Sequence, residues 1–114
     1  MYVSTYPGEP EQVSRVRAAV REHLDGCPVT DDAVLIVSEL AANAALHSMS
    51  RHGTFTVRVD LYETWVCLGV EDAGGPWIDK PADGIPHGLD LVKELSCDCG
   101  VDENPRIVWA HVEF

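Results

Sequence analysis

Positive charge is scarce in this chain: eight Lys and Arg stand against 19 Asp and Glu, a net charge of −11. Such a surface repels a phosphate backbone, which argues against direct nucleic-acid binding and fits a protein partner with a basic face, although acidity can also serve solubility alone. Long apolar runs are missing too, so no segment is suited to span a bilayer. The stretch Met1 to Pro7 has neither the basic region nor the apolar core of a secretory leader, and a cytoplasmic location is the expectation. Repeats, low-complexity tracts and linkers are absent, so the 114 residues read as one domain, 1–114. The four cysteines are poorly spaced for metal. Cys97 and Cys99 are separated by one residue where zinc knuckles use two to four, and Cys27 and Cys67 do not complete a second close pair. Structural thiols are the simpler reading.

What is present is a folded-domain composition, 46% hydrophobic with three Trp, which argues against a disordered tail. Tyr2 to Tyr6 reads as a short edge strand ended by Pro7 and Gly8. Val13, Val16, Val20 and Leu24 recur at helical spacing, predicting an amphipathic helix from about Glu9 to Leu24. Thr30 is placed to cap a central helix that ends near His52 and Gly53, with Asp31 and Asp32 favourable against its N-terminal dipole. Residues 54–62 alternate and residues 65–70 are β-rich, so the two read as a hairpin turning at Glu63 and Thr64. Leu89, Leu91, Val92 and Leu95 predict a third helix, and residues 106–114 a last strand. The fold class expected is α+β: a two-layer sandwich with about three helices on one face of a mostly antiparallel sheet.

The central helix is apolar almost all the way round, yet carries Glu39, Asn43 and His47 at i, i+4 and i+8, on one face. A helix of that kind is normally buried, and burying a carboxylate and an amide is costly unless something pairs with them. Either the stripe faces a ligand, or neighbouring backbone satisfies it. A carboxylate able to accept a proton, one turn before an amide oxygen able to ligate Mg²⁺, suits a phosphate-transferring or nucleotide-binding site. His47 reads more simply as a core histidine bonded to backbone. Ser38, Asp90 and Lys93 read as solvated or capping residues.

Two further segments narrow the choice. Asp72, Ala73, Gly74 and Gly75 follow a strand-like run, and Gly88 and Leu89 open a helix after a Pro- and Gly-rich loop. With Glu39 and Asn43, the chain resembles the GHKL ATPase superfamily over nearly its whole length, and within it the small anti-sigma-factor serine kinases and related ATP-binding regulators. The family's first box, Glu and Asn four apart on a helix, is matched by Glu39 and Asn43. Its Asp-x-Gly box is matched by Asp72 and Gly74. Its Gly-x-Gly-Leu turn departs: Pro86 stands in the first glycine's place, ahead of His87, Gly88 and Leu89. Proline has no N–H to offer a phosphate, so phosphate contact falls on His87, Gly88 and Leu89. A threonine that helps to hold adenine in the family is replaced by Ile107, and the short lid between the second and third boxes carries Lys80 as its fixed cation.

The resemblance implies roles. Asp72 would accept a hydrogen bond from the adenine amine, and Gly74 and Gly75 would let backbone approach the base. Asn43 would hold Mg²⁺ against the phosphates of ATP or ADP, and Glu39 would orient or deprotonate the attacking hydroxyl. The function it implies is an ATP-dependent serine protein kinase acting on an anti-anti-sigma factor and sequestering a sigma factor. Homodimers are common among such relatives. Two alternatives come from other classes: a nucleotide-binding regulatory module that transfers no phosphate, which Pro86 and the short lid favour, and an interaction domain that has lost the nucleotide site.

Overall fold

Period-two alternation in the strands and helical spacing in the helices sort apolar residues onto one side of each element. The computed structural model joins those sides into a two-layer α+β sandwich. It describes residues 1–47, 52–73, 89–103 and 105–114, the side chain of His47 excepted. The elements run β1 (Tyr2–Pro7), α1 (Gln12–His23), α2 (Thr30–His47), β2 (Thr54–Leu61), β3 (Trp65–Asp72), α3 (Leu89–Leu95), β4 (Asp98–Asp102) and β5 (Arg106–Glu113). The sheet order is β1-β2-β3-β5-β4, with every neighbouring pair antiparallel. The fold class expected from the sequence is the one observed.

Alternation decides which strand residues meet the helices. Val57 and Val59, Val66, Leu68 and Val70, and Val108, Ala110 and Val112 are all buried on the inner face. Against them lie Val16 and Val20 of α1, Ile36, Val37 and Leu40 of α2, and Val92 of α3. Ala41, Ala44 and Ala45 are also buried on α2, and their small side chains let the helix sit close to its neighbours β3, α1 and α3. The hairpin turns where expected, with the Tyr62 N–H bonded to the Trp65 carbonyl at 2.8 Å across Glu63 and Thr64.

Three expectations are corrected. The first helix begins at Gln12 rather than Glu9, because residues 9–13 are spent on turn bonds, Gln12 N–H to Glu9 O and Val13 N–H to Pro10 O. Thr30 does not cap with its oxygen as acceptor. Its hydroxyl instead donates to the carbonyls of Leu24 (2.7 Å) and Cys27 (2.8 Å), tying the start of α2 to the end of α1. Gly26 makes that connection possible, since its φ of +82° lies where L side chains are strained. The short strand β4 was not anticipated from sequence; only Val101 in it favours β structure, and its acidic ends read as loop. The expected helix end near residues 52–53 cannot be compared, because residues 48–51 lie outside the described residues. Among the described residues, no helix is long and apolar enough to cross a membrane.

Candidate functional site

Three elements carry the residues singled out by motif. α2 supplies Glu39 and Asn43, the C-terminal end of β3 supplies Asp72, and the first residue of α3 is Leu89. α2 packs on both β3 and α3, so the fold links the elements that the motifs occupy.

Asn43 is 3% exposed, and its Nδ2 has no hydrogen-bond partner among the described residues. Leaving a buried amide arm unpaired costs about 1–3 kcal/mol, so this is a position where the helix sacrifices stability. The alternative that neighbouring backbone satisfies the stripe therefore fails for this arm of Asn43. Glu39, one turn earlier, is half-buried and lines a groove of about 380 Å³ between α1 and α2 together with Ser38, Arg17, Arg21 and Asp31. Arg21 Nη1 donates to Asp31 Oδ1 at 2.9 Å on the exposed side of that groove. Ser38 is corrected: it is buried beside α1, and its Oγ has no partner among the described residues. Asp90 and Lys93 are exposed as expected.

Asp72 is 7% exposed on the inner face of the sheet, in register with Arg106 of β5. The Arg106 Nε–H donates to Asp72 Oδ1 at 2.8 Å. In a site closed to water this charge-assisted bond fixes the carboxylate's position. Arg106 is the functional-site residue that motif reading missed. Its signal was available: it shares the inward parity of Val108, Ala110 and Val112, and a cation on an apolar face requires an anion opposite. Ile107, at the position of the family's adenine-side threonine, lies on the other face of the sheet, where its Cγ2 would be 3.4 Å from a Cβ on Gly69. The β5 side chain beside Asp72 is thus that of Arg106.

Leu89 is buried in the core at the start of α3. Gly74, Gly75, Lys80, Pro86, His87 and Gly88 lie outside the described residues, as does the imidazole of His47. Among the described residues, no group of three or more His, Cys, Asp or Glu side chains could hold a metal ion. The described cysteines are free thiols. A divalent cation here would rest on the Asn43 amide and on oxygens brought by a nucleotide. That suits Mg²⁺, which takes few protein ligands and keeps phosphate and water oxygens. Asn43 would give such a cation its amide oxygen, while its Nδ2 has no partner among the described residues.

A two-layer sandwich of helices on an open antiparallel sheet in the order β1-β2-β3-β5-β4 is consistent with the GHKL ATPase fold. A family model described as a histidine kinase-like ATPase domain matches residues 6–110, from the end of β1 into β5. The chain belongs to that family. No curated protein matches it closely enough to refine the assignment.

Proposed function

We propose that the domain binds Mg-ATP beside α2 and the segment that follows Asp72, and uses it as a serine protein kinase toward an anti-anti-sigma partner while holding a sigma factor. The observation that carries the reading is the placement of Asn43, buried and with no partner for its Nδ2 among the described residues, one turn from the half-buried carboxylate of Glu39. Each residue then has a task. Asp72, held by Arg106, accepts a hydrogen bond from the adenine amine, a group that guanine lacks at that position. Asn43 would hold Mg²⁺ through its amide oxygen, and the ion would supply positive charge to the phosphates. Glu39 takes the proton from the serine hydroxyl as that oxygen bonds to the terminal phosphorus and the bond to the departing ADP breaks. Bound Mg-ATP supplies the phosphoryl group and the neutralising charge.

The second reading is a nucleotide-binding regulatory module that transfers nothing. Pro86 favours it, because the residue withdraws a backbone donor from the phosphate-binding turn. Titration with ATP and GTP, with and without Mg²⁺, tests the shared premise. Absence of heat and of thermal shift at millimolar nucleotide would sink both readings. Radiolabelled transfer from ATP to candidate anti-anti-sigma partners then separates them: labelled serine supports the kinase, whereas tight ATP binding without label supports the module.

A further inference from the structure

The helices cover one face of the sheet, and the opposite face carries a continuous aromatic strip. Tyr62 stacks on Trp65 with ring centroids 4.3 Å apart and planes 14° apart. Trp65 meets His111 at 4.7 Å, and His111 meets Trp109 at 4.9 Å, both tilted. Register explains the row: Trp65 pairs with Glu113, Cys67 with His111, and Trp109 with Gly100, all pointing away from the helices. The Trp109 indole lies over Gly100, where a Cβ would come within 2.8 Å of the ring. A cavity of about 340 Å³ opens on this strip, lined by Trp65, His111, Glu113 and Cys97. Its size is near the lower end for ligand pockets, suited to one side chain rather than a cofactor.

Among the described residues, the charges in register with the strip on β4 and β2 are acidic. Asp98 pairs with His111 from β4, and Asp60 pairs with Cys67 from β2. Asp60 is close enough that its charge, after burial, helps to push the Cys67 thiol up from its ordinary value. The basic residue on this face of β2, Arg58, is engaged with Glu71 at 3.5 Å. Indole and imidazole walls under a carboxylate rim attract a cation through ring quadrupoles and through Coulomb forces together.

We propose that this pocket receives an arginine side chain from a segment of a partner protein, independently of the nucleotide site. Between the Trp65 and His111 rings that line the cavity, a guanidinium can direct a planar N–H fork at Glu113, which an ammonium cannot do. Charge decides the occupant. A second copy of this chain would bring a further net charge of −11 to an already acidic face, whereas a basic segment is drawn to it.

The test uses the full chain without nucleotide, at physiological salt. The probe is a fluorescent peptide of alternating arginine and glycine, compared with its lysine and citrulline counterparts. The arginine peptide should bind saturably, the lysine peptide severalfold more weakly, and the uncharged citrulline peptide not measurably. Trp65→Leu, which keeps the charge, and Glu113→Gln should each weaken binding at least tenfold. Glu22→Gln, removing the same charge from exposed α1, should leave it unchanged. Circular dichroism checks that Trp65→Leu folds, and Glu113→Gln at an exposed strand end carries the test if it does not. Equal losses for Glu22→Gln and Glu113→Gln would mean diffuse attraction and overturn the proposal. So would sedimentation showing a dimer that Glu113→Gln or Trp65→Leu dissolves, since a second copy would then occupy the face.

Discussion

Arg106 and Asp72 face each other across β5 and β3 at 2.8 Å, with side chains only 3% and 2% exposed. Each offsets the other's charge in a buried position. Removing one partner takes away the opposite charge from a closed site, at a cost of about 3–5 kcal/mol, whereas removing both removes that mismatch. Asp72→Asn and Arg106→Met should each lower the denaturation midpoint strongly, and the double variant should recover much of the loss. Urea unfolding of the four proteins measures the coupling. Additive losses would mean that the pair contributes little. The same pairing affects any test of base recognition: a loss of ATP binding in Asp72→Asn is informative only where the variant remains folded.

The connection between α1 and α2 rests on a different constraint. Gly26 has φ +82° with nothing within 4 Å of an added Cβ, so the obstacle to another residue is backbone strain rather than crowding. Gly26→Ala should destabilise by about 1–2 kcal/mol, and Gly26→Asn by less, because Asn tolerates the left-handed region. Equal stability of all three proteins would show that the turn re-forms with a different geometry.

How much of this was legible beforehand follows from what each pattern encodes. Residues 54–61 and 65–72 advertise a hairpin because alternation and a two-residue turn are local properties, and the observed register follows them. The strand β4 is not local in that sense: Asp98–Asp102 becomes a strand by pairing with β5, which a sequence window around it does not contain. The site divides similarly. Glu39 and Asn43 are visible as a spacing on one helix, and Asp72 as part of a motif. The bond from Arg106 to Asp72 joins residues 34 apart and was obscured because Arg106 was read only as the start of a strand. Ser38 was misread because its burial depends on how α1 lies over α2.

Alkaline conditions should expose a second buried interaction. Tyr6 stacks on Phe55 and its hydroxyl hydrogen-bonds that of Tyr2; burial first, then this bond, push its pKa up to about 12. A tyrosine in the unfolded chain ionises near 10. Between those values the unfolded chain holds fewer protons at this site than the folded one, so stability falls as pH rises. The contribution is fully present below pH 10 and is lost through about pH 12. Tyr6→Phe should flatten that part of the stability profile, measured by urea unfolding at intervals from pH 9 to 12. An unchanged slope would remove Tyr6 as its source.

The unpaired amide of Asn43 makes stability and binding pull in opposite directions. Replacing it with Leu, of similar volume, removes a buried polar group that lacks a partner for Nδ2 in the described structure. Without nucleotide, Asn43→Leu should therefore be as stable as the parent or more so, by up to about 1–3 kcal/mol. With Mg-ATP the order should reverse, because a ligand that binds only the folded parent stabilises it by about 4.1 kcal/mol at a thousand times its Kd. Thermal unfolding of both proteins with and without Mg-ATP gives all four values. Glu39→Ala provides the contrast within the same helix: it should retain the nucleotide-induced shift while lowering phosphate transfer to a serine-bearing partner about a hundredfold or more. If Asn43→Leu loses stability without nucleotide and keeps the full shift with it, the amide is a structural group and the cation must be held elsewhere.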